Sequence, residues 1–445
     1  MLATIAALAL VATSAAALGA ADPPQMIHIA LAGNDGDGNP NAMAISWNTN
    51  NQTNTSVCQY STDASLRGAN VTVGTQSSYY ATWQHHAVTH ALKYSTQYFY
   101  RCGDSFAGFS GVFNFTTSGG PSQESITVLQ VGDMGVYNSW DNRQLIDQLA
   151  PSADMLMWSG DICYADDAFL HDPLGFGYEL TWDVCQTWLE NVTTSTPFMT
   201  APGNHEAECH SPACLLDEHR KESLHNFSAY THRFRMPSAE SLPSPGTLNQ
   251  WYSYTMGPVR FIHHDSETSY PNSPNDSYTG LNNGPFGDQL AWVKSALEFA
   301  NTPEERAKHP WVIVTAHRPL YSLAECEDDG QQRGSGAVMS AAFEDLYYQN
   351  NVDVHISGHV HAYERQHPVY RNKLTADAPT YIVSGAGGNS ENHSHLGHKP
   401  GALWSAYSND EDFGIGIFTV TRSSFEWKYL RGAGGAVLDS VTLTK

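Results

Sequence analysis

Seven side chains of the 445-residue chain have the types and spacing that a metal centre requires. VGDMG carries Asp133; SGDICYAD carries Asp161 and, three residues on, Tyr164; APGNHE carries Asn204; VTAHRP carries His317; SGHVHAYE carries His359 and His361. Two carboxylates, an amide oxygen, a phenol and three imidazoles form a mixed oxygen and nitrogen set, which suits hard or borderline first-row cations rather than thiolate-binding ions. Seven donors are too many for one tetrahedral ion. They fit two ions that share one carboxylate, each with positions open for water and substrate. Glycines beside Asp133, Asp161, Asn204 and His359 permit the tight turns that such a cluster of loops needs.

Donors this far apart in sequence need a scaffold that brings them to one edge. The apolar runs ITVLQV (126–131), MLMW (155–158), WVIV (311–314) and VDVHIS (352–357) read as buried strands. Residues 143–150 and 288–300 have helix-like spacing, the latter through Leu290, Val293, Leu297 and Ala300. Alternating strands and helices predict a layered α/β domain over 126–445, with β-sheets flanked by helices. Each donor group then falls at the carboxyl end of a strand, where ligand groups converge in an open α/β sheet. Residues 414–445 return to period-two alternation, with Phe425, Trp427 and Tyr429 on one face, and add C-terminal strands. The segment 23–118 differs: it has three basic and four acidic residues and short alternating stretches such as Met43, Ile45, Trp47 and Tyr98, Tyr100, Cys102. That pattern predicts an antiparallel β-sandwich. The turn-rich join supplies a linker at 119–125.

Acidic residues outnumber basic ones 45 to 22, a formal charge of −23, which argues against a general binder of nucleic acid or anionic membranes. Protonation of many of the 21 histidines near pH 5 would cancel most of this charge, so an acidic compartment suits the chain. Leu2 to Leu18 is an uncharged, alanine-rich run followed by small residues, which predicts a signal peptide over 1–20 and no membrane anchor after its removal. Eight N-x-S/T sequons, at Asn51, Asn54, Asn70, Asn114, Asn191, Asn226, Asn275 and Asn392, agree with a glycosylated protein that is secreted or held in an acidic, lysosome-like compartment. Of the seven cysteines, Cys58 and Cys102 could bridge two strands and Cys209 and Cys214 are close enough to clip a loop, but sequence alone does not assign the partners. Cys163, Cys185 and Cys326 leave one over, which permits a free thiol or a disulfide homodimer.

GDMG, GDICY, GNHE, AHRP and GHVH, in this order, resemble the five blocks of the purple acid phosphatases within the metallophosphoesterases. PPQMIHIAL and ISWNT near the start, SGAGGNSE (384–391) and VLDSVTLTK at the end are similar to the longer members of that family. The resemblance implies a fibronectin type III-like N-terminal domain and a dinuclear centre. Carried over by position, Asp133, Tyr164 and His361 hold Fe(III), Asp161 bridges, and Asn204, His317 and His359 complete the site of a second divalent ion (iron, zinc or manganese). Tyrosinate bound to iron(III) gives a visible absorption band. Iron(III) is acidic enough to supply hydroxide as nucleophile at low pH, where a zinc-bound water with a pKa of roughly 7 stays protonated. His205 is expected to contact substrate and act as general acid, or else only to orient Asn204; Asp166 and Glu206 are expected to hold ligands by hydrogen bonds. Well-known plant and mammalian members place a further histidine nine residues after the ligand matching His317, where this chain has Cys326. Proton delivery then rests on His205 alone or on Glu325 or Glu327, unless the loop is built differently.

The expected activity is that of a secreted acid phosphatase acting on phosphate monoesters of small molecules or proteins. Alternatives are a phosphodiesterase or nucleotide pyrophosphatase on the same metal site, or a non-catalytic binding protein. His393, His395 and His398 read as a solvated loop, His263 and His264 as buried histidines or neighbours of the site, and His85 and His86 have no assigned role.

Overall fold

The structure, a computed structural model, describes residues 21–173, 175–207, 209–238, 249–274 and 283–445. The signal segment expected at 1–20 and the sequon at Asn275 lie outside these residues.

The first segment folds into two antiparallel sheets. One runs in the order Gln25–Ala32, Ala42–Thr49, Thr82–Val88, Thr75–Tyr79; the other in the order Asn70–Val73, Val57–Ser61, Gln97–Asp104, Gly108–Phe109, with Phe113–Thr116 also paired to Gln97–Asp104. Ile27, Ile29, Met43, Ile45 and Trp47 of the first sheet pack against Cys58, Tyr60, Tyr98, Tyr100 and Phe115 of the second. Cys58 and Cys102 are direct cross-strand partners joined by a disulfide. The strand Ala42–Thr49 is buried at every position, not at alternate ones. Its outer face, with Ala30, Ala32, Ala42 and Ala44, packs into the core of the following domain, and the small methyl groups let the two units approach closely. Tyr79 Oη donates to Glu179 at 2.6 Å, and Tyr100 Oη to the Thr194 carbonyl at 2.8 Å across this junction. His86, which had no assigned role, bridges Ser46 and the carbonyl of His232, so it belongs to the same junction.

The second unit contains two more sheets. The six-stranded one runs Phe198–Ala201, Met155–Ser159, Ser125–Val131, Gly414–Thr421, Ser424–Arg431, Val437–Thr444; its first three strands are parallel and the rest antiparallel. The seven-stranded one runs Tyr252–Met256, Val259–His263, Trp311–Thr315, Val354–Ser357, Thr380–Ser384, Tyr363–Gln366, Ser405–Asn409, with Val259–His263 through Thr380–Ser384 parallel. Phe261, Ile313 and Ile356 point toward the other sheet and share a core with Val128, Trp158 and Phe418. Their neighbours Ile262, Val312 and Val314 point the other way and pack on Val293 and Leu297 of the helix Gln289–Ala300. Burial on both faces is why these strands read as unbroken apolar runs. Asp288 caps that helix by accepting from Ala291 N–H at 3.0 Å, and the helix expected at 143–150 begins earlier, as Trp140–Leu149. Phe198–Ala201 is a strand that the sequence pattern did not single out, being only four residues long. Among the described residues no helix is long and apolar enough to cross a membrane.

Candidate metal centre

The seven donors lie on loops that leave the carboxyl ends of five parallel strands, three in one sheet and two in the other. Asp133 follows Ser125–Val131, Asp161 and Tyr164 follow Met155–Ser159, Asn204 follows Phe198–Ala201, His317 follows Trp311–Thr315, and His359 and His361 follow Val354–Ser357. Four of them, Asp133 (φ 56°), Asp161 (49°), Tyr164 (51°) and His359 (68°), occupy the left-handed backbone region. Non-glycine residues go there at a cost, and such strain gathers where a site is over-determined by its surroundings.

Two donor groups form. In the first, Tyr164 Oη stands 3.2 Å from Asp133 Oδ1, 3.3 Å from Asp161 Oδ2 and 2.9 Å from His361 Nε2. In the second, His317 Nε2 lies 3.0 Å from Asp161 Oδ2 and 3.1 Å from Asn204 Oδ1, and His359 Nδ1 is 3.0 Å from the same Asn204 oxygen. His317 Nδ1 faces the Ser159 carbonyl at 2.9 Å, which turns Nε2 into the cluster. Asp161 belongs to both groups. A phenol carries one proton, so the first group presents more lone pairs than protons in a fully buried space, an arrangement that a cation resolves. The donor chemistry therefore fits two ions. The loops close tightly around it: a Cβ on Gly203 would lie 2.2 Å from Asp161 Oδ1, and one on Gly358 would lie 2.1 Å from Asp133 Oδ2. Without cations, burial pushes the Asp133 carboxyl well above its usual range, whereas His317 and His205 hold that of Asp161 below it despite burial. Despite burial, Asp161 and Asp133 raise His317 to about 10.

Around the cluster, Glu206 is fully buried and accepts three backbone N–H groups: Asp161 and Gly203 at 2.8 Å and Ile162 at 2.9 Å. His205 Nδ1 lies 2.9 Å from both oxygens of Asp166, and its ring packs on Tyr164 with centroids 4.1 Å apart. That leaves Nε2 toward the cluster, 3.9 Å from Asp161 Oδ2 and 4.0 Å from Glu391 Oε2. Burial opposes a charge on His205, but Asp166 and Asp161 outweigh it and hold its pKa well above the ordinary value. Cys163 is disulfide-bonded to Cys185 of the helix Tyr178–Thr193, which ties the loop carrying Asp161 and Tyr164 to a helix; Cys209 pairs with Cys214.

Cys326 is the free cysteine, and it is fully buried in the outer core of the seven-stranded sheet. Burial pushes its thiol up to about 11. Glu325 accepts from Ser335 Oγ and Gly336 N–H, and Glu327 pairs with Arg333 at the surface. His263 and His264 are buried against Tyr254 and Tyr347, and His393 stacks on Phe413 beside the His361 backbone.

Three groups escaped the sequence reading. Arg318, next to His317, is clamped by Glu267 and places Nη1 2.9 Å from His359 Nε2. His210 joins His205 on Asp166 at 3.2 Å. Asn389, fully buried, places Nδ2 3.1 Å from Tyr164 Oη. Asn389 had a signal in common with the others, since SGAGGN follows the strand Thr380–Ser384 as the other loops follow theirs.

Comparison with known proteins agrees with this geometry. The sequence pattern described as calcineurin-like phosphoesterase matches residues 126–363, that of the purple acid phosphatase N-terminal domain matches 24–117, and that of the iron/zinc purple acid phosphatase-like protein C matches 378–440. Purple acid phosphatase 21 of Arabidopsis thaliana is 30% identical over 94% of this chain and 84% of its own. An acid phosphatase of Aspergillus ficuum is 29% identical over 76% of this chain and 71% of its own. The purple acid phosphatase PPD1 from yellow lupin (Lupinus luteus) seeds superposes with a TM-score of 0.73 at 21% identity, covering 95% of this chain and 74% of that one, which is a likeness of fold.

Proposed function

Because this chain belongs to the purple acid phosphatases within the calcineurin-like phosphoesterases, we propose that it hydrolyses phosphate monoesters in acid at a dinuclear centre of Fe(III) and a divalent iron, zinc or manganese ion. The observation that carries this reading is the pair of donor groups joined at Asp161. Asp133, Tyr164 and His361 would hold the ferric ion with Asp161; Asn204, His317 and His359 would hold the second ion with Asp161. When bound, such a pair supplies Lewis acidity that neutralises phosphoryl oxygens and activates water for in-line attack.

The chain's own residues do the rest. Glu206 and the crowded glycines fix the loops, so the donors need little rearrangement to meet a cation. Asp166 accepts from His205 Nδ1–H, which turns Nε2 toward the cluster, and its charge favours the protonated ring. A departing alkoxide needs one proton, and His205 Nε2–H is placed to give it. The raised, buried thiol of Cys326 and the engagement of Glu325 by Ser335 and Gly336 favour His205 for this step.

The apolar run at Leu2–Leu18 and the sequons favour passage through a secretory lumen. Asn51, Asn54, Asn70, Asn191 and Asn392 are exposed, and Asn114 and Asn226 are partly covered. The test is a visible spectrum with metal analysis, followed by rates on nitrophenyl phosphate and bis-nitrophenyl phosphate against pH. A coloured protein with two metals per chain and a preference for the monoester in acid is expected. A preference for the diester would overturn the monoester assignment, and a colourless protein holding two zinc or manganese ions would overturn the ferric site.

A further inference from the structure

We propose that Asn389 is a positioning residue for the tyrosinate: it donates a hydrogen bond to Tyr164 Oη and thereby sets the strength of the bond from that oxygen to iron. This rests on the reading of Tyr164 as an iron ligand.

The orientation of the Asn389 amide is fixed by its partners. Its Oδ1 accepts the backbone N–H of Glu391 at 2.9 Å, so the opposite, NH2 end must face the cluster. One of the two amide protons goes to the Asp133 carbonyl at 3.1 Å. The other has Tyr164 Oη, also at 3.1 Å. The Asn389 carbonyl itself accepts from Asn138 Nδ2 at 2.9 Å, and the residue is fully buried, so neither solvent nor another rotamer competes. The segment is pressed against the Asp133 loop: a Cβ on Gly387 would lie 2.2 Å from the Gly132 carbonyl oxygen.

An amide NH2 can only donate. It therefore favours the deprotonated phenol oxygen over the protonated one, and it keeps donating after the proton has left. A donor on a phenolate also lowers the energy of the lone pair that the oxygen offers to iron, because part of its charge is already shared with the proton. Tyrosinate-to-iron charge transfer then needs more energy, and the iron is less electron-rich. The same side chain bonds the backbone of Asp133, so one residue holds two donors of the ferric group in register.

Loaded wild-type protein and Asn389→Leu, which matches the side chain in size but has no donor, test this. Metal content and far-UV circular dichroism are measured beside the visible spectrum, with resonance Raman of the wild type in H2O and D2O. The expected result is a folded, iron-loaded Asn389→Leu whose band lies at longer wavelength, and a wild-type tyrosinate C–O stretch that shifts on deuteration. An unmoved band in the folded, iron-loaded variant overturns the proposal. If the variant does not fold, the wild-type Raman comparison decides: no deuterium shift overturns it. A colourless, iron-loaded wild type sinks the tyrosinate reading itself, whereas a purple wild type with an unmoved variant band removes the role of Asn389 alone.

Discussion

Glu206 Oε2 accepts the backbone N–H groups of Asp161 and Gly203, each at 2.8 Å, so one buried carboxylate ties the loop carrying Asp161 to the loop carrying Asn204 and His205. The third N–H, from Ile162, goes to Oε1 at 2.9 Å. Glu206→Gln keeps the size but turns an NH2 group toward one of these donors. Loss of such an outer partner typically costs about 10–100-fold in metal affinity or activity. We expect a loss of that order in second-metal affinity, measured by titrating metal into the stripped variant; unchanged affinity would show that the loops hold without the carboxylate.

Tyr164→Phe removes the oxygen that meets Asp133, Asp161 and His361 while keeping the buried ring. Loss of the visible band with an unchanged circular dichroism spectrum is expected. A variant that stays purple means that a different tyrosine binds iron.

His205→Ala should lower turnover by about 10²–10⁴-fold with both metals retained, the usual size of a general-acid effect. The loss should be greater for an alkyl phosphate than for nitrophenyl phosphate, whose leaving group needs little protonation. Asp166→Asn, which leaves an acceptor for His205 Nδ1–H but removes the charge that favours the imidazolium, should give the same pattern in weaker form. Equal losses on both substrates would reject proton donation in favour of simple positioning.

The Cys163–Cys185 bridge closes a 22-residue span that contains Tyr164 and Asp166. Such a loop stabilises the fold by about 3 kcal/mol through restriction of the unfolded chain. C163A/C185A should therefore melt several degrees lower, and reductant should lower the melting temperature of the wild type but affect the variant less. Equal melting temperatures would mean that packing of the loop against the helix holds it without the bridge.

Buried histidines weaken the fold in acid, and His355 is one of them. It is fully buried between Tyr347 and Tyr381, neither ring nitrogen has a hydrogen-bond partner among the described residues, and burial lowers its pKa to about 3. Its folded pKa lies below the unfolded value, so the unfolded chain binds the extra proton. Its contribution to stability is complete above pH ~6.5 and is lost as pH falls toward about 3, with a loss of about 2 kcal/mol between pH 7 and pH 5. Glu364, raised to about 7 by burial, acts in the opposite sense: the folded state holds its proton, so its contribution is present in acid and fades as pH rises from ~4.5 through 7. His355→Phe should raise the melting temperature more at pH 5 than at pH 7. An equal change at both values would place the effect in packing rather than in protonation.

The seven donors, their order and four of the five strands before them were legible because each of those strands is an apolar run that leads into a polar residue, with a glycine beside Asp133, Asp161 and His359. The chain's local pattern dictates that much: a strand must be buried, and a donor just beyond its end can turn outward. The same rule overlooked Phe198–Ala201, which is too short to show a period, and with it the reason that Asn204 and His205 stand where they do. It also gave the sandwich strand Ala42–Thr49 only one buried face, because the alanines that pack on the second domain look the same in sequence as alanines facing water.

Partnership between distant residues was decided only by the tertiary structure. Cys163 chose Cys185 over Cys326 because the loop and helix that carry them pack together, while Cys326 is enclosed in a different core. Asp166 meets His205 across 39 residues, and Asn389 meets Tyr164 across 225. Sequence determines residue type and local periodicity, and from these the donors and their scaffold follow. Hydrogen bonds that tune the donors act over about 3 Å between loops of different strands, and their geometry exists only once the sheets have packed.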